Sequence, residues 1–247
     1  MKKLLIVLLF IPLTFFGQNE KNDTIYEAKN IKLNYKSLII PSVFIGYGII
    51  GTQNDALKQF NYEIQEDLKG QIDNKFKIDN VSLFVPSLSV YGLNAIGIKG
   101  KNNFKDRTII LATASLIMGS TVTVMKKLTK IERPDGSSKS SFPSGSTATA
   151  FMGAEFLYQE YKDVSIWYGI SGYLVATGTG FLRMYNNKHW FTDVVTGAGI
   201  GILSTKIAYW AHPLVKKSLF KDKKEINGLV IPFYNGKEYG LGLSMSF

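Results

Sequence analysis

Three short stretches of this chain carry residues that could act on a phosphate. The last runs Arg183-Met184-Tyr185-Asn186-Asn187-Lys188-His189-Trp190-Phe191-Thr192-Asp193. Upstream stand Lys126 with Arg133-Pro134, and then Phe142-Pro143-Ser144-Gly145-Ser146. A phosphate ester is dianionic, and its reacting state spreads charge over equatorial oxygens. It needs guanidinium or ammonium cations and backbone N–H donors around it. Lys126, Arg133 and Arg183 can supply the cations. Ser144 and Gly145 lie just before an apolar helix predicted from about Ser146, so their amides sit at a helix N-terminus, which favours anions. Pro143 sets the turn and Gly145 lets the backbone approach a ligand. His189 is the candidate nucleophile. Asp193 follows four residues later, so on a helix the two share a face. The carboxylate would hold one ring nitrogen and leave the other free to attack.

Taken singly, each piece has an ordinary reading. A lysine near Arg-Pro is common at a solvated helix end, Pro-Ser-Gly-Ser makes a turn and N-cap, and most His–Asp pairs are structural. Order and spacing are more specific. Lys126-x6-Arg133-Pro134, then Pro143-Ser144-Gly145, then Arg183-x5-His189-x3-Asp193 resembles the three-part signature of the type 2 phosphatidic acid phosphatase superfamily, over roughly residues 81–211. That superfamily includes bacterial lipid and prenyl-diphosphate phosphatases, class A acid phosphatases and vanadium haloperoxidases. The resemblance implies an all-helical fold and a phosphatase that needs no metal or other cofactor. It implies phosphate binding by the residues at Lys126, Arg133, Ser144, Gly145 and Arg183, with Ser146 in the same turn. It implies a phosphohistidine at His189, orientated by Asp193.

One position departs from that pattern. Ser146 stands where the superfamily usually has the histidine that protonates the leaving group. A hydroxyl is no such acid at neutral pH, and general acid catalysis is worth roughly 10²–10⁴-fold. His212 lies 19 residues beyond Asp193 on one apolar segment, about 28 Å away if helical, which is too far to take over. Asp135, Lys127, Lys139 or a water held by Ser146 are nearer in sequence. The expected function is hydrolysis of a phosphate monoester or diphosphate of a membrane lipid or prenyl carrier. The alternative is a weak or inactive family member that binds phosphate.

The composition agrees with that class. The chain has 247 residues, 45% hydrophobic and 13% aromatic, enough for one domain with a full core. Its net charge of +10 suits anionic partners. The lysines are scattered and no nucleic-acid motif accompanies them, so the expected partners are a phosphorylated lipid and the membrane, not nucleic acid. The absence of cysteine excludes disulfides, thiolate metal sites and a cysteine nucleophile. With His189 and His212 as the only histidines, a multi-histidine metal site is not expected.

The elements that must position these residues can be read in outline. Residues 1–17 read as a bacterial signal peptide: Met1-Lys2-Lys3, then apolar Leu4 to Phe16, then Gly17-Gln18. Residues 18–80 form an exported N-terminal segment. In it 37–51 is apolar but short for a span, and 52–80 is predicted as an amphipathic surface helix with Leu57, Phe60, Ile64, Leu68 and Ile72 on one face. Residues 81–211 form the phosphatase-like core, with apolar segments at 81–98, 108–125, 145–158, 165–182 and 193–211. All are rich in small residues that suit close helix packing. Five spans, read with the basic connections at 99–107 and after 212, place both phosphate-binding segments on the outer face. Residues 212–247 form a basic tail and a β-hairpin, with a turn at Asn235-Gly236. The fold class is an all-α bundle, membrane-embedded, with that short C-terminal hairpin. The expected address is the bacterial envelope, at the inner membrane with a periplasm-facing site; a periplasmic or outer-membrane location is the alternative.

Overall fold

The computed structural model describes residues 35–69, 78–220, 227–234 and 239–246. The expected signal at 1–17, most of 18–36, Ile72 and the lysines Lys221, Lys223 and Lys224 lie outside the described residues. A 3-10 turn at Tyr35–Leu38 leads into α1 (Ile39–Gly51) and α2 (Asp55–Lys69). Then come α3 (Asp79–Ser82), α4 (Val85–Ala95), α5 (Phe104–Thr129), α6 (Gly145–Tyr161), α7 (Ile166–Tyr185) and α8 (Phe191–Leu219). β1 (Asn227–Tyr234) and β2 (Tyr239–Ser246) pair antiparallel, from Asn227 opposite Ser246 to Tyr234 opposite Tyr239.

Short polar side chains start the core helices by satisfying N–H groups that a helix end leaves orphaned. Asn103 Oδ1 accepts from the Asp106 amide at 2.8 Å before α5. Ser144 caps α6 and Ser165 caps α7. Lys130, in the left-handed region at φ 48°, ends α5.

The core is built around α6, which packs on α4, α5, α7 and α8. Val90, Ile110, Met152, Phe156, Tyr161 and Ala208 are buried together where α4, α5, α6 and α8 meet. α6 and α8 approach backbone to backbone. A Cβ on Gly197 would lie 2.5 Å from Ser144 O, and one on Gly201 would lie 2.3 Å from Ala148 O. On another side of α8, a Cβ on Gly199 would meet Pro41 O of α1 at 2.6 Å. Small residues permit this contact as they do between helices in lipid.

Among the described residues, α5 and α8 are each long and apolar enough to cross a membrane, and α1 with α2 would make a third span if that pair, bent by 95°, were counted as one. α5 leaves Leu116 and Leu128 about three-quarters exposed, and α7 exposes Trp167 and Leu174. Large apolar side chains exposed in this way mark surfaces that suit lipid. The expected count of five spans is corrected here. The first of them, 81–98, holds the 11-residue α4, about 16 Å long, roughly half the hydrocarbon thickness of a bilayer. The parity argument loses its first crossing.

The helix expected over 52–80 is also corrected. α2 ends at Lys69, and of its predicted apolar face Leu57, Ile64 and Leu68 are half-buried. Phe60 is 42% exposed, while Asn61 and Gln65 are buried. That face packs on α7, the loop before α8 and the first residues of α8, where Asn61 and Gln65 find hydrogen-bond partners.

Candidate active site

The site forms where the end of α5, the start of α6 and the α7–α8 loop converge. Lys126 lies in the last turn of α5. Its ammonium donates to the carbonyls of Ser140 and Ser141, the latter at 3.2 Å, and so draws the 130–144 loop over the helix end. Within that loop the Arg133 amide donates to Ser138 O at 3.0 Å and the Ser141 amide to Ile131 O at 2.9 Å. The loop then delivers Ser144 as the N-cap of α6, with Gly145 and the half-buried Ser146 as its first two helical residues. Ser144 Oγ lies 2.8 Å from Thr147 Oγ1, and the Ser144 amide donates to Asp193 O at 3.0 Å. The two phosphate-type motifs are thus joined directly. A Cβ at Gly145 would make only ordinary contact with Val122, at 3.6 Å.

His189 and Asp193 do not share a helix, contrary to the expectation from their spacing. His189 lies in the loop before α8, and Asp193 is the third residue of α8. The pairing arises instead from helix capping. Asp193 Oδ2 reaches back to the Trp190 amide at 2.9 Å, which bends the chain and sets His189 Nδ1 3.4 Å from the same oxygen. His189 is 2% exposed. Ser141 Oγ also donates to Asp193 Oδ2. Burial pushes the His189 imidazole below its ordinary range. The Asp193 charge opposes that shift, and the nearby Arg183 and Lys126 charges add to it. The ring is therefore neutral at pH 7, the form that carries a free lone pair.

Arg183, at the end of α7, is buried against Asp79 of α3, with Nη1 2.6 Å from Asp79 Oδ2. Among the described residues, five buried side-chain atoms have no hydrogen-bond partner. Four belong to this site: Arg133 Nε, Arg183 Nε, His189 Nδ1 and Asp193 Oδ1. Buried polar groups are nearly always paired, so their concentration here marks a place built for something other than stability.

The candidate acids named for the Ser146 departure are also placed. Asp135 accepts from Lys188 Nζ at 2.6 Å. Burial alone would raise its pKa, but hydrogen bonds from Lys188 and Ser137, with the Lys188 charge, hold it at about 2. A carboxyl that acidic holds no proton at neutral pH to donate. Lys127 and Lys139 are exposed. His212 sits far along α8, 3.2 Å from Asp106 of α5.

Several site residues were not legible in the motifs. Asp79, Ser141, Asn61 and Gln65 all contact motif residues or their loop. A cavity of about 440 Å³ opens beside Arg133 and Asp193, and Lys58, Asn61 and Tyr62 of α2 line it together with Trp190.

Residues 107–217 match the PAP2 superfamily. The lipid A 1-phosphatase of Porphyromonas gingivalis is 36% identical over 172 residues, which is 66% of this chain and 39% of that protein. The chain thus spans about two fifths of the length of that relative. Among solved structures, LpxE of Aquifex aeolicus gives a TM-score of 0.47 at 23% identity, covering 61% of this chain and 94% of that one. The first transmembrane PAP2 type phosphatidylglycerolphosphate phosphatase from Bacillus subtilis gives 0.45 at 20% identity, covering 75% and 98%. The stretch that matches the PAP2 superfamily, residues 107–217, thus holds Lys126, Arg133, Ser144, Gly145, Ser146, Arg183, His189 and Asp193.

Proposed function

We propose that this protein is a membrane phosphatase that removes phosphate from a phosphorylated lipid or prenyl carrier through a histidine intermediate. The observation that carries the reading is the pair of unpartnered buried guanidinium donors, Arg133 Nε and Arg183 Nε, around the buried His189 ring, beside the N–H groups of Gly145 and Ser146 at the start of α6. These are the donors and the nucleophile that a phosphate ester would engage. The name of the Porphyromonas relative points to lipid A as the first substrate to try.

In this reading His189 attacks phosphorus through Nε2, because Nδ1 faces Asp193. The bond to the leaving oxygen breaks, and the phosphoryl group passes to the ring. Lys126, Arg133, Arg183 and the amides at Gly145 and Ser146 hold the equatorial oxygens, with Ser144 shaping the turn that presents those amides. Asp193 fixes the ring and offsets the positive charge that develops on it. Water then attacks phosphorus, releasing inorganic phosphate and restoring His189. The leaving oxygen finds no histidine donor at Ser146. Substrates whose leaving group is a stable anion, such as diphosphates or aryl phosphates, should therefore suffer least. In this reading the site opens to the periplasmic side of the inner membrane, where a phosphorylated lipid of the outer leaflet would be met.

Ser146 also favours a second reading, in which the protein binds phosphate groups with little turnover. Phosphate release by the purified protein from lipid A, prenyl diphosphates, phosphatidic acid and an aryl phosphate separates the two. Turnover of any of them supports the phosphatase. Saturable phosphate binding with no release from any of them supports the binder.

A further inference from the structure

α2 grips the nucleophile's loop on both sides of His189. Before it, Gln65 Nε2 donates to Asn187 Oδ1. Asn187 holds a left-handed backbone at φ 61°, a conformation that asparagine tolerates better than most residues. After His189, the Tyr62 and Trp190 rings meet edge to face at 5.0 Å, and Phe60 meets Phe191 at 5.7 Å. Asn61 then makes two bonds to one residue. Its Oδ1 accepts from the Thr192 amide at 3.2 Å, and its Nδ2 donates to Thr192 Oγ1 at 3.0 Å. Asn61 and Gln65 are 7% and 3% exposed, one helical turn apart on one face. A buried amide is costly unless its donors and acceptors are met. Two of them aimed at one loop across more than 120 residues of sequence are more than a packing surface needs.

We infer that α2 is the positioning element of the nucleophile, with Asn61 and Gln65 as the residues that hold His189 in register with Asp193. The chain needs such a device. His189 has no aligned hydrogen bond to Asp193 in spite of the 3.4 Å approach, and it lies in a loop, not on a helix face. The loop is also tied by Lys188 to Asp135 and by Trp190 Nε1 to Glu132 O, both on the 130–144 side. α2 supplies the opposing wall. Since α2 follows the apolar α1 across a 95° bend, its seating couples the nucleophile to a helix whose Ile39, Ile40, Val43, Ile49 and Ile50 are exposed.

This inference rests on the phosphatase reading for its kinetic arm but not for its chemical one. In a His212→Gln background His189 is the sole histidine, so its carbethoxylation rate against pH reports its exposure and apparent pKa. The groups whose charge reaches it are Asp193, Arg183 and Lys126. Asn61→Leu and Gln65→Leu keep side-chain size and remove the hydrogen bonds. Each is expected to raise the carbethoxylation rate several-fold and move the His189 pKa up toward its ordinary value. Each should also lower kcat about 10-fold with KM changed less than about two-fold, since misplacement of a reacting group costs rate more than binding. Asn61→Asp keeps the acceptor for the Thr192 amide and should retain most of both properties. Wild-type reactivity and pH profile in both leucine variants would overturn the inference, as would equal losses in Asn61→Asp and Asn61→Leu. If the wild type releases no phosphate from any ester, the phosphatase reading fails, and the carbethoxylation arm still decides the positioning role.

Discussion

Asp79 of α3 and Arg183 of α7 form a buried ion pair, 2.6 Å from carboxylate to guanidinium, with side chains 3% and 10% exposed. It fixes one of the proposed phosphate cations before any substrate arrives. Removing one partner of a buried pair leaves an uncompensated charge, which costs about 3–5 kcal/mol. Asp79→Ala is therefore expected to lower the unfolding midpoint markedly in denaturant or thermal unfolding of the detergent-solubilised protein. Inorganic phosphate should recover part of the loss, because it can face the same guanidinium. An Asp79→Ala variant as stable as the wild type would show that Arg183 finds another partner.

His189→Ala should abolish phosphate release while the fold persists, and acid-labile phosphate trapped on the wild type from labelled substrate should be missing. The pH dependence has a definite sign. Neutral imidazole is the attacking form, and burial lowers the His189 pKa. The acid limb of kcat/KM should therefore lie below the ordinary imidazole value of about 6.5. Asp193→Asn removes the charge that opposes this shift, so the limb should move lower still as the rate falls. A limb moving upward in Asp193→Asn would contradict the geometry.

Ser146→His should give the leaving group a donor. Alkyl monophosphate turnover is expected to rise by roughly 10-fold or more, within the range of general acid catalysis. Diphosphate turnover should rise less. No helix cap is lost, because the N-cap bond of α6 belongs to Ser144. Unchanged rates on alkyl esters, with an already fast wild type, would mean that another group supplies the proton.

The two ends of α5 should face opposite sides of the membrane. Lys101 and Ser137 are both exposed, at opposite ends of that helix, and the chain has no cysteine of its own. Ser137→Cys is expected to react with an impermeant thiol reagent in intact spheroplasts, and Lys101→Cys only after lysis. The reverse pattern would turn the site inward.

What the sequence revealed was local, and what it hid was distant. The order of Lys126, Arg133, Ser144, Arg183, His189 and Asp193 located the site, because motif spacing survives without a structure. The Ser144–Gly145 turn was legible as a helix start for the same reason. Asp79, Ser141, Asn61 and Gln65 were not, since each meets its partner across 52 or more residues with no spacing rule to betray it. The sequence offered no sign that the amides of α2 meet the chain around His189, since their partners lie on the distant α7–α8 connection. His189 and Asp193 were read as a helical pair four residues apart, whereas a capping bond at Trp190 brings them together. The short α4 hid within an apolar stretch whose length suggested a span.

The glycines of α8 have an implication for heredity rather than for chemistry. At Gly197 and Gly201 the main chain of α6 occupies the volume that any side chain would need, and at Gly199 that of α1 does. The spacing between Ser144 and Asp193 is set there by two main chains in contact, with no rotamer able to adjust it. A saturation library should therefore show two intolerant classes of position: the polar residues around His189, and a row of glycines that never meet substrate. The exposed apolar residues of α5, Leu116, Val124 and Leu128, should accept almost any apolar replacement.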